Sequence, residues 1–248
     1  DMHNYKVACQ TCHIPIYAKA NPTVMYWDWS VAGQRDANGK PRTEYDVNHK
    51  YSYLSIKGRF VWDDHVKPEY FWFNGTADHY LYEDTISEIP VKINELMGDY
   101  SDPDSKIWPV KVHRGKQAYD AVNKYLVNMK VFAEGPGQGA FWEDLEFDTA
   151  IQLGMAYVGR EYSGQYDFVE TVAYWPVNHQ VSPKEMTLQC TDCHTRHEEG
   201  RLANLTGFYL PGRDFAKGVD YTGIAIIIIS LIGVIVHSIM RLMARPKH

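Results

Sequence analysis

Cysteine is scarce in this chain, with four in 248 residues, and none is left over. All four fall in two copies of one pattern, Cys9-Gln-Thr-Cys12-His13 and Cys190-Thr-Asp-Cys193-His194. A basic surplus is also lacking: the formal charge is −6, with 25 Lys+Arg against 31 Asp+Glu. Three of those cations (Arg241, Arg245, Lys247) and none of the acids follow Asp220, leaving −9 on the body. An acidic body excludes nucleic acid as a partner, because that binding needs a basic face. No internal repeat is visible beyond the two motifs. The loop Gly135-Pro-Gly137-Gln-Gly139 has no Lys-Ser/Thr behind it, so it is not a phosphate loop. The chain starts at Asp1 without Met or a signal peptide, as expected of a processed mature chain or of the C-terminal part of something longer.

Charge is missing altogether from residues 221–240, YTGIAIIIISLIGVIVHSIM. At a helical rise of ~1.5 Å per residue these twenty residues span roughly 30 Å, the thickness of a bilayer's hydrocarbon core. The basic residues that follow favour the cytoplasmic side. The expected organisation is an extracytoplasmic domain over residues 1–205, a juxtamembrane linker over 206–220, a transmembrane helix over 221–243 and a short basic cytoplasmic tail over 244–248. The bulk would then lie in the bacterial periplasm or on the outer face of the cytoplasmic membrane.

What is present is chemically specific. In CxxCH the two thiols add across the vinyl groups of a haem, and the adjacent His reaches the iron as proximal ligand. A structural zinc site wants two CxxC pairs about 15–20 residues apart, whereas 177 residues separate Cys12 from Cys190. A redox CxxC needs no trailing His. With 11 His in the chain, two trailing His by chance are on the order of one in 500, following the motif logic for cysteine spacings. Two covalently bound haem c are therefore expected, on Cys9, Cys12, Cys190 and Cys193, with His13 and His194 as iron ligands. Aromatics make up 14% of residues and suit either a Tyr-rich surface and core or the walls of flat cofactors.

Each iron's other face takes His, Met or nothing. His3 lies six residues before Cys9 and His179 eleven before Cys190, offsets that place a His beside a neighbouring haem in stacked chains. His79 and His113 sit at turn-like sites. Together these candidate distal ligands exceed what two haems need, and the surplus points to further haems from a missing N-terminal part or a partner subunit. His49, His65 and His197 read as surface residues. His237, within the span, is either an interfacial residue or a contact to a partner helix, a b-type haem or a quinone site. Asp102-Pro-Asp104 reads as a turn, with calcium the alternative.

Secondary-structure signals are weaker. Residues 21–112 read as irregular loops with short strands or turns, and helical patterning is expected near residues 114–127 and 141–158 and around the second motif. The fold expected is a multihaem cytochrome c, mainly α with long irregular segments organised around covalent haems, plus one C-terminal transmembrane helix.

Several stretches resemble the C-terminal part of the octahaem tetrathionate reductase family of multihaem c-type cytochromes. They include Val7-Ala-Cys-Gln-Thr-Cys-His-Ile-Pro15, Trp27-Asp-Trp-Ser30, Lys67-Pro-Glu-Tyr70, Phe73-Asn-Gly-Thr-Ala-Asp-His-Tyr80, Pro109-Val-Lys-Val-His-Arg-Gly-Lys-Gln117 and Leu188-Gln-Cys-Thr-Asp-Cys-His194. The resemblance covers roughly residues 3–202. It implies that the two motifs are the family's last two haem sites, and that His79, His113, His179 and His3 are distal ligands, some for haems attached elsewhere. The family's catalytic haem, with its lysine ligand, belongs to the N-terminal part, so this chain would not hold a substrate site alone. The expected function is electron transfer between a membrane quinol or cytochrome b partner and periplasmic haems, alongside other multihaem subunits. The alternative is part of an octahaem reductase of tetrathionate, nitrite or hydroxylamine, with Lys111, Arg114 and Lys116 lining a cationic channel.

Overall fold

The computed structural model describes residues 2–244. Asp1 and the tail residues Arg245, Lys247 and His248 lie outside the described residues, and with them most of the expected cytoplasmic tail. The chain forms two compact units, one up to Gln189 and one from Cys190 onward.

The first unit begins with two short helices, α1 (Met2–Lys6) and α2 (Cys9–His13). Ten strands and two helices follow: β1 (Thr23–Asp28), β2 (Thr43–Tyr45), β3 (Tyr51–Leu54), β4 (Gly58–Asp63), β5 (Glu69–Phe73), β6 (Ala77–His79), β7 (Val91–Lys92), β8 (Asn94–Leu96), β9 (Lys106–Asp120), β10 (Tyr125–Leu126), α3 (Phe141–Asp144) and α4 (Phe147–Tyr157). The long strand β11 (Tyr166–Pro176) completes the unit. Nine of the strands make one sheet in the order β2-β3-β4-β1-β9-β11-β7, with β5 and β10 also paired to β9. β6 and β8 form a separate pair. This corrects the expectation of a mainly α fold, and residues 21–112 hold eight strands and the start of a ninth.

β9 is the organising element. Its fifteen residues pair antiparallel with β5 from Lys106 to Val110 and with β11 from Val110 to Asp120. Alternate residues of β9 share a face. Val110 and Val112, both essentially unexposed, pack with Val172, Phe71, Leu96, Trp108 and Tyr174. β-Branched side chains suit such a surface, and each valine buried this way contributes about 1.5–3 kcal/mol. Gly115 lets β1 run alongside in parallel, because a Cβ there would stand 2.9 Å from the Trp27 carbonyl.

The helix expected near residues 114–127 is instead the end of β9, a turn and β10. Ala118 and Tyr125 do share a cluster, with Ile151 and Met155, but a hairpin joins them. The turn is held by buried Asp120, whose carboxylate accepts N–H bonds from Val122 (2.9 Å), Asn123 (2.8 Å) and Ser163 (2.8 Å). Burial pushes this carboxyl up, but the donors outweigh it and hold it below its ordinary value. The helical signal over residues 141–158 corresponds to α3 and α4. α4 buries Ala150, Ile151, Gly154 and Met155, one stripe at helical spacing.

The second unit holds α5 (Cys190–Cys193), an irregular segment, and α6 (Lys217–Met243). α6 has 27 residues and no buried one. At ~1.5 Å per residue it is about 40 Å long, four residues longer at its start than the apolar run itself. Among the described residues it is the one helix long and apolar enough to cross a membrane.

Candidate haem-attachment sites

α2 is seated on β9. Ala8 donates its N–H to the Ile107 carbonyl at 3.1 Å, and Thr11, 1% exposed, adds its Oγ1–H to the same oxygen at 2.6 Å. Ile14, fully buried, packs with Tyr17, Ala18 and Val177. One turn of helix thus turns Thr11 inward and leaves Cys9 exposed and Cys12 half-buried, which keeps the thiols within reach of a cofactor. A returning segment crosses the end of the turn: Ser182 N–H donates to the His13 carbonyl at 2.7 Å and Leu188 N–H to the Cys12 carbonyl at 3.1 Å. Lys19 clamps that segment through Ser182 Oγ (2.6 Å) and the Gln180 carbonyl (3.0 Å). The His13 Nδ1 lies 3.5 Å from the Ser182 carbonyl.

The second motif has a different support and the same histidine geometry. α5 buries none of its residues, yet His194 Nδ1 lies 2.7 Å from the Pro211 carbonyl. A carbonyl only accepts, so Nδ1 carries the proton and the Nε2 lone pair is the one an iron would take. Ligand histidines are commonly oriented in this way. In both motifs two thiols one helical turn apart precede an imidazole whose Nδ1 faces a backbone oxygen. The residues fit a thioether-bound haem.

The candidate distal histidines are spread over the first unit. His113, half-buried on β9, lies with Nδ1 3.2 Å from the Val24 carbonyl. Burial holds its pKa below the ordinary histidine value, the Val24 carbonyl opposes that, and Lys111 adds to it. His79 is exposed at the end of β6 and lines a cavity of about 360 Å³ with Asp78, Tyr80, Asp84, Glu88 and Lys92. His179 is exposed, three residues before the Ser182 whose carbonyl lies at His13 Nδ1. His3 is exposed on α1, and its carbonyl accepts the Val7 N–H at 2.9 Å. The fold therefore brings the His179 segment to the first motif but keeps His79 and His113 on other strands.

His49, His65 and His197 are exposed, and His65 pairs with Asp64 at 2.9 Å. Asp102 is a turn: its Oδ1 takes the Asp104 N–H at 2.9 Å and its Oδ2 the Asn74 amide at 2.8 Å. Among the described residues no group of three or more His, Cys, Asp or Glu could hold a metal ion. The cationic channel is not formed by its three candidates. Lys111 projects from one face of β9 toward Thr23 Oγ1 (2.6 Å), while Arg114 and Lys116 lie on the other, with Arg114 paired to Glu69 at 2.9 Å. The residues that hold the motif histidines, Ser182 and Pro211, act through backbone oxygens and carry no motif. The local signals there are those of turns, Ser182-Pro183 and Pro211-Gly212.

A family model described as bacterial cytochrome c matches residues 24–197. The chain belongs to the bacterial cytochrome c family. Its cofactor is accordingly covalent haem c and its work electron transfer. Among solved structures this cytochrome c is similar to an octahaem cytochrome c from Shewanella oneidensis, at 42% identity and a TM-score of 0.71. The match covers 80% of this chain and 45% of that protein, so the chain spans less than half the length of its relative. A search of the curated proteins finds no match.

Proposed function

We propose that this cytochrome is a membrane-anchored multihaem electron carrier. Cys9, Cys12 and His13 hold one haem c, and Cys190, Cys193 and His194 hold a second. When bound, haem c supplies a one-electron couple whose potential follows axial ligation, burial and hydrogen bonding. The residues attach it, orient its ligand and fix the tautomer. The observation that carries the reading is the recurrence of a motif histidine with Nδ1 at a carbonyl, 3.5 Å in one unit and 2.7 Å in the other.

α6 anchors the protein, and its all-round apolar surface suits lipid. Electrons pass between a quinol-linked or cytochrome b subunit in the membrane and haems in the periplasm. The acidic body steers basic partners toward it. His3, His79, His113 and His179 serve as distal ligands, and those beyond the need of two irons meet haems carried by another segment or subunit. Intact-mass spectrometry tests the core of this: two haem additions are expected, located on the peptides with the two motifs, and unmodified cysteines would overturn it.

A second reading rests on the 42% identity to an octahaem protein of which the chain covers 45%. In it the chain is the C-terminal part of an octahaem reductase of the tetrathionate reductase type, acting on tetrathionate, nitrite or hydroxylamine. Reduced-state spectra with carbon monoxide or nitrite separate the two, since a shift of the haem bands marks an open iron and no shift marks a carrier.

A further inference from the structure

The contact at His194 is the shorter of the two, although its helix buries nothing. The Pro211 carbonyl must be held by its own segment, and the structure shows how. The Arg213 side chain is 12% exposed and uses all five of its N–H donors within that segment. Nη1 donates to the carbonyls of Leu202 (2.7 Å) and Leu205. Nη2 donates to the Phe208 carbonyl (3.0 Å) and Asp214 Oδ2 (2.8 Å), and Nε to Asp214 Oδ1 (2.8 Å). The guanidinium also lies over the Phe208 ring, 4.9 Å from its centroid.

Asp214 completes the knot by accepting the Leu210 N–H at 2.7 Å. Between Leu210 and Arg213 stand only Pro211 and Gly212. Gly212 has φ +85°, and a Cβ there would lie 2.8 Å from the His194 carbonyl oxygen. Glycine is thus required both by conformation and by the closeness of the histidine. Three residues beyond Asp214 the chain enters α6 at Lys217.

We propose that Arg213 is a positioning residue: by tying residues 202–214 into one rigid loop it fixes the Pro211 carbonyl on His194 Nδ1, and so sets the reduction potential of the haem at the second motif. This rests on the reading that Cys190 and Cys193 carry a haem with His194 on its iron. An imidazole that donates Nδ1–H to a fixed carbonyl is a stronger base at Nε2. A stronger donor stabilises the ferric state and lowers the potential.

The test uses the full haem-loaded chain in detergent, with R213Q, R213K and G212A compared by redox potentiometry and electron paramagnetic resonance. One midpoint is expected to rise in all three variants, by about threefold in the reduction equilibrium constant, or ~28 mV at 59 mV per decade for one electron. The g-values of that haem change with it while the first motif's haem stays put. R213K is informative because lysine keeps the charge but not the five-donor fork. The proposal is overturned if no midpoint moves, if all move together, or if R213K retains the parent potential while R213Q lowers it, since the last result would make Arg213 a mere charge. Mass spectrometry of the peptide holding residues 190–194 is run on each preparation. Absence of haem there sinks the attachment reading itself, whereas haem present with an unmoved midpoint sinks only the role of Arg213.

Discussion

The two CxxCH motifs have the same chemistry on opposite kinds of support. α2 lies on the sheet: its Thr11 is buried against Ile107, 96 residues away in sequence, and its histidine faces Ser182, 169 residues away. α5 buries nothing and is served by a loop 17 residues downstream, tied by one arginine. The difference teaches that a carbonyl can be brought to a motif histidine's Nδ1 either by long-range packing or by a local knot. It also means the two sites should fail differently.

Deleting α6 should have the largest effect. A chain ending at Ala216 is expected to leave the membrane fraction entirely while keeping haem on both motifs. Retention in membranes after this truncation would break the anchor reading.

Removing the thiols comes next. C9A/C12A is expected to lose one haem from the intact mass and to lower the thermal midpoint of the sheet unit, because α2 is part of its packing. C190A/C193A should lose one haem and leave that midpoint unchanged. Equal destabilisation by both pairs would dissolve the contrast between supports.

A gentler comparison uses the one threonine that each motif holds between its cysteines. T11V deprives the Ile107 carbonyl of its buried hydroxyl donor and should cost about 1 kcal/mol in denaturant unfolding. T191V, on exposed α5, should stay within ~0.5 kcal/mol of the parent, as exposed substitutions do.

The smallest effect is on pH dependence. Asp214 is held down to about 2 by its hydrogen bonds from Arg213 and then by the Leu210 N–H. A carboxylate whose folded pKa is depressed contributes fully above its unfolded value, ordinarily near 4, and loses its contribution as pH falls through the folded value. The second motif's haem should therefore drift in spectrum between about pH 4 and 2, as this carboxylate titrates. D214N should show the drifted spectrum at neutral pH. The first motif, whose contacts involve Thr11, Ser182, Lys19 and backbone groups, should not follow the same curve.

How much was legible before folding differs by element. The motifs could be read because haem attachment and iron ligation together call for two thiols and an imidazole within five residues. The long apolar helix α6 could be read because its signal is an unbroken uncharged run that needs no partner elsewhere in the chain. The sheet could not. Ala118, Ala121, Val122 and Tyr125 recur at helical spacing, but Ala118 and Tyr125 meet across a hairpin that Asp120 closes. The channel of Lys111, Arg114 and Lys116 failed for a related reason, since an alternating strand sends odd and even residues to opposite faces.

The attachment motifs and the long apolar helix were thus determined by the amino acids alone, because each depends on neighbours along the chain. Which carbonyl meets each motif histidine was decided only in three dimensions. Every residue offers such an oxygen, and only the fold selects Ser182 and Pro211 from among them.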